Sequence, residues 1–373
     1  MQEKVVLFSC QSGVTSGKSA GSPARRHHFT VDIHCHMHSV IADDLVRKEF
    51  DIANEPIVFF ASNETKDVNT ASLGAVRPKL VSPELRIEDM DAGGIDLQVI
   101  SPSPFQYFYW ADPLLGLDAA QTINDWIAAI VRAQPDRFAG LCTIPLQAPE
   151  LAIAEMQRAV GQLGFKGVEI GSNVAGEELS HERFRPFFAK AEELGILIFI
   201  HPNGFPDGRR FSVHNLINLV GNPLDSTLAI SHLIFGGVLD AYPKLKICVA
   251  HGGGFLPAYS GRMDHAYSAR PDCRLCISRP PSAYLASFYF DSVVYTPHQL
   301  RYLVERYGFD HILLGTDYPY DMAEPDPVGL VRKLGLEQGH EAAILGGNAA
   351  RLLNLAQHVG KPHVSGCPTG GPT

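Results

Sequence analysis

No apolar run in this 373-residue chain is long enough to span a bilayer; stretches such as Ile196-Leu197-Ile198-Phe199-Ile200 are strand-sized. Positive charge is not in excess either. The chain has 31 Lys and Arg against 40 Asp and Glu, a formal net charge of −9. That balance argues against a nucleic-acid backbone as main partner, while local arginines can still hold a small anionic substrate. Cysteines are few, odd in number and scattered, seven in all. They suggest no disulfide framework, and the expectation is reduced thiols in a cytoplasmic protein. Cys273-x-x-Cys276 is the one close pair and has no second pair to complete a metal knuckle. No internal repeat stands out beyond an alternation of strands and helices, and no linker cuts off a second domain.

What is present is a large supply of core: hydrophobic residues make up 45% of the chain. Strand-like runs fall at 31–36, 97–101, 138–144, 167–171, 196–201, 245–251, 288–294 and 312–316. Between most of them lie helical stripes. One joins Ala119, Ile123, Trp126, Ile127 and Ile130, and another joins Phe184, Phe187, Phe188, Ala191 and Leu194 before the plausible C-cap Gly195. Eight buried strands alternating with helices predict an α/β fold, a distorted (β/α)8 TIM barrel spanning 30–358 as a single domain. A doubly wound sheet would want a Gly-rich phosphate turn after its first strand, where this chain has His34-Cys35-His36. Two rim insertions interrupt the alternation, an irregular one after strand 1 (37–83) and a Pro/Gly-rich one after strand 5 (202–223). Residues 1–29 read as a flexible leader and 359–373 as a flexible tail.

Chemistry concentrates at the strand ends. His34 and His36 end strand 1, His201 ends strand 5, His251 ends strand 6, and Asp317 follows Leu314-Gly315-Thr316. Imidazoles and a carboxylate gathered at one rim of a barrel make a metal site. In H-x-H on a strand, both rings share a face and can chelate one ion, while Cys35 between them points away into packing. His34, His36, His201 and Asp317 can supply the shell of a Zn2+ or similar ion such as Mn2+, whose bound water becomes acidic. His251 is then a fifth ligand or a free base beside that water. Gly252-Gly253-Gly254 lets backbone approach either a substrate or simply a tight turn. Arg77, Arg209-Arg210, Arg262 and Arg270 sit on rim loops or early helix turns, as surface charges or as forks for a substrate carboxylate.

With these motifs in hand, the chain resembles the amidohydrolase superfamily, and within it the metal-dependent decarboxylases of the aminocarboxymuconate-semialdehyde decarboxylase type. Further motifs carry the resemblance: Pro83-Glu84-Leu85-Arg86-Ile87-Glu88-Asp89-Met90-Asp91, Tyr109-Trp110-Ala111-Asp112-Pro113, Pro145-Leu146-Gln147-Ala148-Pro149-Glu150-Leu151-Ala152, Leu163-Gly164-Phe165-Lys166-Gly167-Val168, Pro243-Lys244-Leu245-Lys246, Gly261-Arg262-Met263-Asp264-His265, Arg270-Pro271-Asp272 and Gly315-Thr316-Asp317-Tyr318-Pro319. The resemblance implies one Zn2+ held by His34, His36, His201 and Asp317, with His251 as the acid/base beside the metal water. It implies a homodimer in which Arg262 reaches the neighbour's site with Arg270 nearby, and a carboxylate-binding arginine in the strand-1 insertion, for which Arg77 is the nearest match. Two pocket positions depart from the family pattern: Asn203 stands where a Trp follows His-Pro, and Tyr320 where a Phe follows Asp-Tyr-Pro. The expected activity is non-oxidative decarboxylation of an unsaturated or aromatic carboxylic acid. The alternative is hydrolysis of an amide, lactone or ring carbonyl by the same metal shell.

Overall fold

The computed structural model describes residues 28–355. The tail at 359–373 and all but the last two residues of the leader at 1–29 lie outside the described residues. Eight parallel strands form one sheet in chain order: β1 Val31–Met37, β2 Leu97–Pro102, β3 Phe138–Cys142, β4 Gly167–Gly171, β5 Leu197–His201, β6 Lys246–Val249, β7 Tyr289–Asp291 and β8 Ile312–Leu313. The sheet closes on itself. Ile33 N–H donates to Leu314 O at 2.9 Å, His36 N–H donates to Tyr318 O at 2.8 Å, and Cys35 bridges Tyr318 in parallel. This is the expected (β/α)8 barrel, with each strand run located where apolar continuity places it.

The strands are buried along almost their whole length, as sheets covered on both faces must be. An inner cluster gathers Val31, Ile33, Leu97, Val99, Leu141, Leu197, Phe199, Cys248 and Leu313. The alternate residues, among them Ile198, Ile200, Ile247, Val249, Ile312 and Leu314, pack outward against helices. β1 shifts register between Asp32 and Cys35, so Val31 and Ile33 share the inner cluster while Cys35 and Met37 lie with the outer one. The stripe around Ile123 forms the helix Pro113–Ala133, and that around Phe187 forms Arg185–Leu194, closed by Gly195 at φ 63°.

The strand-1 insertion departs from expectation: it is largely helical. It contains Val40–Val46, Pro56–Phe59 and the 19-residue helix Asn63–Val81. The long helix has no apolar stripe, burying only Thr65 and Leu80, and its start is set by Ser62, whose hydroxyl accepts from Thr65 N–H at 3.2 Å. Among the described residues, no helix is long and apolar enough to cross a membrane.

Candidate metal centre

Five side chains from four barrel segments meet at the C-terminal rim. His34 and His36 end β1, His201 ends β5, His251 follows β6, and Asp317 follows β8. His34, His201, His251 and Asp317 each offer a donor atom, all within 4.8 Å of one another. His36 joins them, with Nε2 lying 3.1 Å from His34 Nε2 and 3.3 Å from Asp317 Oδ1. His34 Nε2 is also 3.3 Å from Asp317 Oδ1. All are buried except His251, whose side chain is 13% exposed. His251 Nε2 stands 3.6 Å from Asp317 Oδ2, an ion-pair distance rather than a hydrogen bond.

The far nitrogens of the first two rings are anchored. His34 Nδ1 is 2.5 Å from Asp291 Oδ2, and His36 Nδ1 is 3.1 Å from the Pro102 carbonyl. Both partners are acceptors, so both Nδ1 atoms carry the proton and both Nε2 lone pairs face the centre. His201 is the clearest sign of what belongs there, because neither of its buried ring nitrogens has a hydrogen-bond partner among the described residues. Converging lone pairs on three imidazoles and a carboxylate, with orphaned buried nitrogens, fit a divalent cation.

Electrostatics agree. Burial holds the His201 pKa well below the usual imidazole range, and the neighbouring His36, His34 and His251 add to that effect, so the ring stays a neutral donor. Burial alone would depress His34, but the charges of Asp317 and Asp291 overcome it and push its pKa up to about 10. Asp317 is held well below the carboxylate range despite burial, by the charge of His34 and then by the nearby rings of His251, His34 and His36. The bare cluster is negative enough to bind a proton where a cation would sit.

Local backbone makes the arrangement possible. His251 at φ 55° and Asp317 at φ 64° are both left-handed non-glycine residues, a strain that functional sites retain when their surroundings enforce it. A Cβ on Gly315 would come within 2.9 Å of His34 Cβ and 3.1 Å of Asp291 Cβ. Gly252, Gly253 and Gly254 all have positive φ, and added Cβ atoms would strike Val294, Phe290 and Pro223. The triple glycine therefore serves the tight turn that aims His251.

Two positioning roles escaped the motif reading, that of Asp291 and that of Arg86, which stood in the 83–91 motif without a role. Asp291, at the end of β7, accepts from His34 Nδ1–H and from the backbone N–H of His251 (3.0 Å), Gly252 (2.8 Å) and Val293 (3.2 Å). One carboxylate thus fixes both a ring and the turn carrying another. Its only sequence signal is a lone acid in the apolar run Phe288-Tyr289-Phe290-Asp291. Arg86 is fully buried; it donates to the His36 carbonyl and to Gln98 Oε1 (2.9 Å) and stacks 4.6 Å from the Tyr318 ring, tying the first and last segments of the barrel together.

The sequence-predicted substrate residues divide. Tyr320 lies 5.5 Å from the His36 ring, with its hydroxyl 2.6 Å from Ser103 Oγ. Asn203, two residues past His201, lines a neighbouring cavity of about 230 Å³. Arg77, Arg262 and Arg270 are exposed and not part of the cluster. Arg270 is engaged with Asp272 through two contacts at 3.1 and 2.7 Å.

Barrel, rim and donor set together define a metal-dependent (β/α)8 enzyme with a divalent-metal site. The chain belongs to the amidohydrolase family, whose profile matches residues 31–355. It is 40% identical over 275 residues to 2-amino-3-carboxymuconate-6-semialdehyde decarboxylase of Dictyostelium discoideum, covering 73% of this chain and 77% of that protein. It is 27% identical over 301 residues to gamma-resorcylate decarboxylase of Polaromonas sp., covering 74% of this chain and 90% of that one. A crystal structure of 5-carboxyvanillate decarboxylase from Novosphingobium aromaticivorans, complexed with manganese and 4-hydroxy-3-methoxy-5-nitrobenzoic acid, superposes with a TM-score of 0.79. It is 25% identical, with 88% of this chain and 96% of that chain covered.

Proposed function

We propose that this chain is a metal-dependent, non-oxidative decarboxylase of an unsaturated or aromatic carboxylic acid. The observation that carries the reading is the buried His/Asp cluster, with the unpartnered nitrogens of His201, in a chain similar to decarboxylases over about three quarters of its length. His34, His36, His201 and Asp317 hold the ion, which we assign as Zn2+, with Mn2+ as the other candidate. When bound, the cation supplies Lewis-acid stabilisation of charge on substrate oxygens.

The chain's own groups do the rest. The bond to the carboxylate carbon breaks, carbon dioxide leaves, and the electron pair stays on the carbon that carried it. A proton must replace the carboxyl group there. His251, the most accessible of the five and adjacent to Asp317, holds and delivers that proton at Nε2. Asp291 keeps His34 and the His251 turn in register, while Asn203 and Tyr320 line the substrate space.

A carboxylate substrate also calls for a guanidinium, and among the described residues neither the cluster nor the adjacent cavity contains one. Arg262 is exposed and makes no ion pair within the described residues. It follows the apolar segment in which Phe255 and Tyr259 are 45% and 67% exposed. We assign this face to a homodimer in which Arg262 acts in the neighbouring site, with Arg270 and Arg77 as outlying substrate contacts. The five described cysteines are free, consistent with a cytoplasmic location.

The test is to assay metal-replete protein against a panel of unsaturated and aromatic acids, with lactones and amides included. Carbon dioxide release that disappears in His201→Ala and Asp317→Ala, both having lost most of their metal, supports the reading. Hydrolysis without carbon dioxide would replace it with the hydrolase alternative, and full metal occupancy in both variants would overturn the ligand assignment.

A further inference from the structure

The cavity beside the metal centre has a character of its own. It lies over the ends of β4 and β5: Gly171 at its edge pairs in register with His201, and Asn203 forms part of its wall. Tyr107 connects the two spaces, lining the cavity and donating its hydroxyl to Glu169 at 2.7 Å beneath the histidines. Aromatic walls come from Tyr107 and Tyr109, stacked 5.5 Å apart, and from Trp110. Among the described residues, no lysine, arginine or histidine contributes to the lining.

Its polar focus is Glu55, from the strand-1 insertion, which is only 5% exposed. One carboxylate oxygen accepts from Trp110 Nε1–H at 3.0 Å and the other from Asn203 Nδ2–H at 2.8 Å. A carboxylate has about four lone-pair sites, so roughly two stay open on the cavity side. No basic residue pairs with Glu55 among the described residues, and a buried, unpaired carboxylate is costly to keep unless something completes it. A second acid reinforces the sign. Asp225, also buried, accepts from Ser172 Oγ–H and from Asn173 Nδ2–H (2.9 Å), both of which line the same cavity.

We propose that Glu55 is a specificity-determining residue: it accepts a hydrogen bond from a hydroxyl or amino substituent on the substrate's ring or chain, remote from the reacting carboxylate, and excludes a second carboxylate from that position. The inference rests on the decarboxylase reading for the identity of the reacting group. The discrimination itself comes from charge and hydrogen bonding: a donor fills the open lone pairs, whereas an anion meets a like charge in an aromatic pocket with no counter-ion. The departure at Asn203 fits this picture, because its side-chain amide is what orients Glu55.

The experiment uses metal-loaded full-length protein at pH 8, above the Glu55 value of about 7 that burial imposes. Dissociation constants are measured by calorimetry for aromatic acids that differ at one ring position at a time, bearing hydroxyl, amino, hydrogen or carboxylate. At one position the hydroxyl or amino compound should bind about 10- to 100-fold more tightly than its hydrogen counterpart, with the carboxylate weakest. Glu55→Gln, nearly isosteric, should shrink that preference to within about threefold. The wild-type ranking alone tests the idea even if the variant fails to fold. A protein that ranks carboxylate first, shows no preference at any position, or binds no member of the hydroxyl and amino series overturns the proposal, as does a Glu55→Gln protein with an unchanged ranking. Carbon dioxide is followed separately on the same acids. Ranking without release refutes the decarboxylase reading alone, and release without ranking refutes the role of Glu55 alone.

Discussion

Replacing Asp291 by asparagine should cripple the metal centre without touching a metal ligand. The carboxylate accepts four hydrogen bonds, from the His34 ring and from three backbone N–H groups, two in the His251 turn and one just after β7. An amide of the same shape can accept on one side only. With its NH2 turned to the Oδ2 side, it faces the His34 Nδ1–H and His251 N–H, donor against donor. His34 would then move its ring proton to Nε2, the nitrogen aimed at the cluster, and lose its lone pair there. Turned the other way, the NH2 opposes Gly252 and Val293 and loosens the turn that carries His251. Removing such a supporting group weakens metal binding roughly 10- to 100-fold, or about 1.4–2.7 kcal/mol. Competition titration against a chromophoric chelator measures this directly, with the exposed Asp240→Asn as a surface control, since Asp240 faces Ser278, Arg279 and Tyr284 and none of the cluster residues. An Asp291→Asn protein that binds metal within twofold of wild type would show that the His34 anchor does not matter.

Glu55→Gln should reveal the cost of the buried acid through pH. Burial raises the Glu55 pKa from 4.5 to about 7, so its neutral form favours folding below pH 4.5 and that advantage disappears as pH rises through about 7; the variant should therefore gain stability over wild type at high pH, on the order of 3 kcal/mol at most. Urea unfolding at pH 4.5 and pH 8 that gives the same difference at both would contradict the assignment. For the dimer, mixing inactive Arg262→Ala with inactive His251→Ala should restore activity, because a mixed dimer has one site with both groups intact; no recovery under confirmed subunit exchange would place Arg262 outside the neighbouring site.

Much of this architecture is legible in the chain because parallel strands buried on both faces are continuous apolar runs, and the ligands sit where those runs stop. β8 is shorter than the strand run expected to residue 316, because the segment after Leu313 pairs with β1 irregularly: Thr316 and Asp317 N–H both donate to the His34 carbonyl, and Asp317 is left-handed. The helix Asn63–Val81 escaped because periodicity reports burial, and this helix buries almost nothing. Asp291 and Arg86 escaped for a different reason. Asp291 meets His34 across 257 residues and Arg86 meets the His36 carbonyl across 50, contacts that exist only once the barrel closes. Glu55 lies in the same misread insertion, and its meaning depends on Asn203 and Trp110 converging on it from β5 and from the segment after β2.

The central claim is that this cluster replaces a carboxyl group with a proton held by His251. It is tested most directly by running the metal-replete wild type and His251→Ala on the acid panel in deuterated water, measuring carbon dioxide and deuterium at the carbon that carried the carboxyl group. The account predicts one carbon dioxide released and one deuteron incorporated per turnover. It also predicts that His251→Ala keeps its metal and slows by a factor of about 10² to 10⁴. Turnover undiminished in a metal-loaded His251→Ala protein, or no carbon dioxide from any acid, would contradict it.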